Sequence, residues 1–600
     1  LANRCENAMP YKAPIRDVQF LADKLLNAQK HYASLAGGEP LDCELRNAIL
    51  EEAARFSEEV IYPLNRTGDE QGCLWNEDGV KTPDGFADAY RQYIDGGWPG
   101  LSMPTAFGGQ ALPKSLDFMV SECLSQANHA WAMYPGLSAG CRGTLLAHGT
   151  ESLQAIYLPK LTSGAWTGTM CLTEPQCGSD LSFLRTRAET REDGSYSISG
   201  TKIFISAGEH DLSENIVHLV LARLPDAPAG TRGISLFIVP KFLPDPHGEP
   251  GVRNAVQCGS LEHKMGIHGN ATCVMNFDGA RGFLIGEPHR GLLAMFTFMN
   301  SARLGVALEG LAHGEIALQG ALSYATEREA GRALSGTKVP ARPADRLIVH
   351  PDVRRMLLTI RALTEGSRAL LHSLGQLVDI ELGTDAEAAA EAASFLAFYT
   401  PIAKGFMTEM GIECANIGMQ VYGGHGYIRE WGMEQNLRDA RITTMYEGTT
   451  GIQALDLLAR KVLRDQGASL EQVIVRIRAD MEGMNADYAQ RLSARLEEWQ
   501  AITVTLFSAV SENIDELGAA SVDYLMYSGY VLLGWQWGRM ASVPEVREGA
   551  DAFYRAKAVT ARFYFDKILP RCSSLAEQMR AGADSLMALD DTDFDTLAGR

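Results

Sequence analysis

The chain has 600 residues, 46% of them apolar, which is enough for two or more packed hydrophobic units. Its 74 acidic residues against 54 basic ones leave a formal charge of −20, which argues against a general binder of nucleic-acid backbone, a function that calls for a basic surface. Eleven cysteines without a CxxC pair read as reduced thiols rather than a disulfide framework, and they predict a cytoplasmic protein.

The opening "LANRCENAMPYKAP" lacks the charged start and apolar stretch of a signal peptide. Met9 reads as a natural start, with residues 1–8 as a remnant ahead of it, and residues 1–40 as an N-terminal extension. From residue 41 to 165 the pattern is mainly helical, interrupted by loops such as "GGWPGLSMPTAFGGQALP". Between 166 and 288 short β-branched or aromatic runs, "YSISGTKIFIS", "NIVHLVLARL", "ISLFIVPKFL" and "TCVMNFDG", alternate with Gly, Pro and Asp clusters. They predict a mostly antiparallel β-domain. Helical periodicity returns from 289 to 465, where Val353, Met356, Leu357, Ile360 and Leu363 share one stripe.

Residues 466–600 read as an appended helical domain. Its stripes are Leu470, Val473, Ile474, Ile477, Met481 and Met484; then Leu492, Leu496, Trp499, Ile502 and Leu506; then Phe553, Val559, Phe563 and Leu569. The apolar segment "YLMYSGYVLLGWQW" is shorter than the roughly 20 residues a membrane span needs, and reads as a buried helix. The region carries 21 acids against 15 bases from residue 461 onward, which disfavours both a DNA-binding surface and an anionic-membrane helix. The fold class is α+β, in the order helical, β, helical, helical.

Five stretches then narrow the reading: "MCLTEPQCGSD" (170–180), "GTKIFISAGEHD" (200–211), "EHKMGIHGNATC" (262–273), "QVYGGHGYIREWGMEQNLRDARI" (420–442) and "YEGTTGIQ" (446–453). In this order they resemble the acyl-CoA dehydrogenase family over roughly residues 40–465. The resemblance implies an FAD enzyme that removes a proton alpha to a thioester carbonyl and a hydride from the beta carbon. It further implies Glu447 as the base, since a carboxylate enclosed with an apolar acyl chain has its pKa raised by desolvation toward the useful range. The alternative family position for the base corresponds to Ala302, which cannot serve. The backbone N–H of Glu447 would stabilise the developing enolate oxygen. Arg303 matches a family arginine near the base, and with Ser179 and Tyr446 it is expected on the substrate side.

The same resemblance assigns Leu172, Thr173, Ser179, Phe204, Ser206 and Thr449 to FAD. Hydroxyl side chains suit that task because they hydrogen-bond the flavin without adding charge. Met170 and Phe204 stand where relatives often have Tyr and Trp. Arg328 of "YATEREAGR" and Gln420, Gly423 and Gly424 of "QVYGG" match elements that complete the FAD of a second subunit, which implies a homodimer or higher homo-oligomer. Pro351 and Gly451 replace glutamines of medium-chain relatives. Those departures and the C-terminal extension are similar to a long bacterial branch whose members oxidise fatty acyl-CoA, in β-oxidation, or 3-methylmercaptopropionyl-CoA. An electron-transferring flavoprotein is the implied acceptor. An oxidase, a DNA-associated flavoprotein of the superfamily and a silent scaffold are the competing readings; no metal is expected.

Overall fold

The computed structural model describes residues 11–35 and 41–598; the readings made on residues 1–8 and Met9 lie outside them. The chain forms two compact units. One holds Tyr11–Ile15 and residues 41–305; the other holds residues 16–35 and 306–598.

In the first unit, helices start where a short polar side chain can accept from the backbone. Asp42 accepts from Leu45 N at 2.7 Å ahead of helix Cys43–Phe56, Asn128 from Trp131 N at 3.0 Å ahead of His129–His148, and Thr150 from Leu153 N at 3.3 Å ahead of Glu151–Ser163. The segment predicted as mainly helical also contains a hairpin, Leu74–Asn76 with Gly79–Lys81. An "NEDG" turn, with Asn76 Oδ1 accepting from Asp78 N and Gly79 N and Gly79 at φ 140°, reverses the chain there.

The β-domain is a seven-stranded sheet. Its order is Val256–Leu261, Thr272–Ile285, Tyr196–Ser206, Arg187–Thr190, Asn215–Arg223, Trp166–Cys171. Strand Ile234–Pro240 pairs with both Thr272–Ile285 and Asn215–Arg223, so five strands close a circuit and hide their edges. Most pairs are antiparallel as predicted, but Trp166–Cys171 runs parallel to Asn215–Arg223. The two intervening strands give the chain the crossover that a parallel pair requires. Strands Asn215–Arg223 and Ile234–Pro240 are buried nearly throughout, which explains their unbroken apolar runs.

In the second unit, helix Gly291–Glu327, whose first turns belong to the other unit, packs from residue 306 onward with Pro351–Glu381 and Ala386–Tyr422. A Cβ on Gly310 would come 2.4 Å from Met407 O, and one on Gly411 2.6 Å from Gly310 O, so only glycine lets these backbones approach. Helix Asp515–Ser542 buries Tyr524 through Trp537 except Met526, as its composition predicts. It presses on the bundle closely enough that a Cβ on Gly529 would overlap the Phe406 ring at 2.2 Å. Leu492, Leu496, Trp499, Ile502 and Leu506 are buried on helix Ala486–Glu512, and Leu470, Val473, Ile474 and Ile477 on Ala468–Met481.

The third predicted stripe holds at Leu569, which is buried, and is corrected at Val559. Val559 is exposed, and helix Ala552–Phe563 turns Lys557, Thr560 and Ala561 inward. Lys557, its side chain fully buried, forms ion pairs with Asp17 at 2.5 Å and Glu365 at 2.8 Å. Arg368 bonds Asp17 and Glu315, each at 2.6 Å, and Arg361 bonds Glu365 at 2.7 Å. Three acids and three bases thus neutralise each other where the N-terminal helix, the bundle and the appended domain meet.

Candidate active site

The β-domain gathers one group of predicted residues. Thr173 leaves strand Trp166–Cys171 and accepts from Ile203 N at 2.9 Å, which sets it beside Phe204 at the end of strand Tyr196–Ser206. Gly178 lies against Thr173, bringing Ser179 into the same loop. Phe204 is 60% exposed with φ 59°, an unfavourable left-handed backbone for an aromatic residue. Ser206 is followed by Ala207, also left-handed at φ 53°, whose N–H bonds Ala271 O at 2.7 Å. Leu172, Met170 and Ala302 pack on one apolar cluster beneath.

A network absent from the sequence reading holds this loop. Glu174, buried, accepts from Lys202 Nζ at 2.8 Å, Arg185 N at 2.7 Å, Thr186 N at 3.0 Å, Thr186 Oγ1 at 2.5 Å and Gln176 Nε2 at 2.6 Å, while Lys202 also donates to Leu172 O at 3.1 Å. Burial opposes ionisation of Glu174, but the Lys202 charge and these donors win and hold its pKa at about 2. The pair's stabilisation is therefore complete above the ordinary carboxylate value near 4.5 and is lost as pH falls from there toward 2. Denaturant titrations at stepped pH should show that loss in the native chain. In Lys202→Met the loss across that window should vanish, with stability already lower at pH 7; an unchanged acid profile would remove Glu174 from this role.

The second unit carries all the others except Arg303, in two places. Tyr446, Glu447 and Thr449 share one turn before helix Thr450–Leu455, which Thr449 caps by accepting from Ile452 N at 3.3 Å. Glu447 and Gly448 are both left-handed, at φ 55° and 92°. Gln453 Nε2 donates to Glu447 O at 2.9 Å, and Lys404 Nζ to Gly448 O at 2.6 Å. The Tyr446 hydroxyl donates to Glu309, and burial together with that carboxylate pushes its pKa well up. A left-handed glutamate whose peptide oxygen and the next are both held has its N–H and its Cα–Cβ direction set by the backbone.

Arg328, exposed at the end of helix Gly291–Glu327, and the exposed Gln420, Gly423 and Gly424 flank a ring cluster. Tyr324 stacks on Tyr422 at 4.3 Å, His425 on Trp431 at 4.3 Å, and Tyr324 OH meets His425 Nδ1 at 2.9 Å. Arg303, in the first unit, is buried and donates to Asn300 Oδ1 at 3.5 Å. Pro351 starts helix Pro351–Glu381, and Gly451 lies in the first turn after Glu447.

Comparison with known proteins agrees throughout the chain. Residues 44–165, 169–280 and 289–463 match the family descriptions "Acyl-CoA dehydrogenase, N-terminal domain", "middle domain" and "C-terminal domain", and 470–590 match "Acetyl-CoA dehydrogenase C-terminal like". The 3-methylmercaptopropionyl-CoA dehydrogenase of Ruegeria pomeroyi is 44% identical over 96% of this chain and 99% of its own length. The chain belongs to the acyl-CoA dehydrogenase family.

Another member, the broad-specificity linear acyl-CoA dehydrogenase FadE5 of Mycobacterium tuberculosis, is 33% identical over 97% of this chain and 100% of its own. An FAD-complexed acyl-CoA dehydrogenase from Bacillus anthracis shares the fold over 98% of this chain and 94% of its own, with TM-score 0.71 at 19% identity. Membership makes the chain an FAD-dependent oxidoreductase of the CH–CH group of acyl-CoA thioesters. Its residues fit that cofactor. Among the described residues the hydroxyls of Thr173, Ser179 and Ser206 have no hydrogen-bond partner within the chain, and they sit with the exposed Phe204 ring at one end of the sheet, with no charged side chain among the four.

Two groups escaped the sequence reading although they lie in readable places. Glu174 and Lys202 stand inside the quoted motifs as one acid and one base with no assigned role. Lys404 is the one cation in the apolar run "FLAFYTPIAKGFM", where a lone buried lysine signals a specific partner.

Proposed function

We propose that Glu447 is the catalytic base of an α,β-dehydrogenation that converts a saturated acyl-CoA to the trans-2-enoyl-CoA. The observation that carries this reading is the left-handed turn at Glu447, locked by Gln453 and Lys404. Its carboxylate takes the proton alpha to the thioester, and its N–H donates to the carbonyl oxygen on which charge develops. Bound FAD supplies the hydride acceptor. Leu172, Thr173, Ser179, Phe204, Ser206 and Thr449 hold the cofactor in this reading, and Tyr446, Ser179 and Arg303 serve the thioester. Arg328, with Gln420, Gly423 and Gly424, serves the FAD of a second copy in a homodimer or larger assembly, where the planar guanidinium suits a pyrophosphate.

A fatty acyl-CoA of β-oxidation is the proposed substrate, with an electron-transferring flavoprotein as acceptor and the cytoplasm as location, for which the ten free thiols among the described residues speak. A second reading, 3-methylmercaptopropionyl-CoA, is favoured by the 44% identical relative. Anaerobic mixing with saturated thioesters of four to sixteen carbons and with 3-methylmercaptopropionyl-CoA decides between them. The true substrate bleaches the flavin fastest, and air should not replace the flavoprotein acceptor in turnover. Failure of every thioester to bleach the flavin refutes the reading.

A further inference from the structure

We propose that Lys404 is a positioning residue for the reaction: its buried ammonium holds the Glu447–Gly448 turn and keeps the base both aimed and ionised. The inference rests on Glu447 being the base, as proposed above, and goes beyond it by naming what fixes that base.

Lys404 lies in the middle of helix Ala386–Tyr422 with no exposed surface. Neighbours along its helix are apolar or neutral: Pro401, Ile402 and Ala403 before it, Gly405, Phe406 and Met407 after it. Burying a lysine there costs several kcal/mol unless a strong acceptor meets it. One such acceptor is Gly448 O at 2.6 Å, a charge-assisted hydrogen bond to the carbonyl one residue beyond the proposed base. A carbonyl can face that ammonium because Glu447 and Gly448 are left-handed in succession.

Gln453 completes the clamp from the other side. Its amide donates to Glu447 O at 2.9 Å and presses so closely on the turn that a Cβ on Gly448 would come 2.6 Å from Nε2. Consecutive peptide oxygens are therefore pinned by two side chains from two helices. The left-handed state of a glutamate, which is strained, persists only when its surroundings over-determine it. Lys404 does more than a neutral donor could: the turn also faces the Glu309 carboxylate that Tyr446 bonds and the Asp439 charge, and the Lys404 ammonium offsets them and so favours the ionised form of Glu447. Loss of the charge should thus raise the pKa of the base, while loss of the bond should let its carboxylate drift, and a displacement near 1 Å costs on the order of 10²-fold in rate.

The test uses the FAD-loaded full chain in anaerobic stopped flow with butyryl-CoA and octanoyl-CoA across pH 5–9. Lys404→Met should lower the limiting rate of flavin reduction by on the order of 10²-fold. Its half-saturating thioester concentration should stay within about threefold, a split that general misfolding would not give. The acid limb of its pH profile should move to higher pH, and Lys404→Arg, which keeps charge and donor, should return the limb toward that of the native chain. Gln453→Leu removes the second pin but not the charge, so its rate should fall without a shift of the limb; it also carries the test should Lys404→Met fail to fold. Normal rates with an unmoved acid limb in both variants, beside an inert Glu447→Gln, overturn the positioning role alone. A Glu447→Gln that still reduces its flavin at the native rate removes the base assignment and this inference with it.

Discussion

Glu447→Gln is expected to keep its FAD, and with it the yellow colour, while anaerobic bleaching by acyl-CoA slows by about 10²–10⁴-fold. The amide matches the carboxylate in size and leaves the backbone clamp from Gln453 and Lys404 untouched, because both side chains bind peptide oxygens rather than the Glu447 side chain. Only proton removal is lost. The N–H of residue 447 remains to polarise the thioester, so thioester affinity should change little. FAD content by absorbance, thioester affinity by spectral titration and reduction rate by stopped flow separate the three quantities. Bleaching within a few-fold of the native rate would sink the assignment, as Ala302 at the alternative position cannot take over.

Lys557→Met should remove about 3–5 kcal/mol from the stability of the helical unit, the range found when one partner of a buried ion pair is deleted. Asp17 and Glu365 would each keep a buried carboxylate while losing the ammonium at 2.5 and 2.8 Å. Burial pushes the Asp17 pKa up, and Lys557 and Arg368 together override that and hold it below its ordinary value; with the lysine gone the balance tips back. The ammonium also sits 5.2, 5.5 and 5.7 Å from the rings of Phe20, Phe553 and Trp537, contacts that a methionine replaces only in part. Asp17→Asn added to Lys557→Met restores charge balance in the cluster and should recover part of the loss, so that the double variant is more stable than the sum of the singles. Denaturant melts of the four proteins read this directly. A Lys557→Met protein within about 1 kcal/mol of the native chain would show that the cluster is not what secures this junction.

Glu447 was legible because three things coincide in the chain: an acid between Tyr446 and Gly448, a helical run after it, and four other glycine-rich or hydroxyl-bearing stretches in a fixed order. The stripes on helices Ala468–Met481 and Ala486–Glu512 were legible for a simpler reason. Apolar side chains at helical spacing must be covered, whatever covers them. The backbone at Phe204 and Glu447 was not legible, because a left-handed aromatic or glutamate contradicts local preference and exists only by virtue of remote contacts.

Lys404 and Lys557 were passed over for the same cause. Periodicity counts apolar area and assigns a lysine to solvent, as it assigned Val559 to the interior, yet a lysine can be buried when acceptors from elsewhere converge on it. By itself the sequence determined the order of helical and β segments, the family signature and the position of the proposed base. The tertiary structure decided which face of helix Ala552–Phe563 turns inward and what holds the Glu447 turn, because both depend on bringing Asp17 to Lys557 and Gly448 to Lys404, contacts that no local spacing encodes.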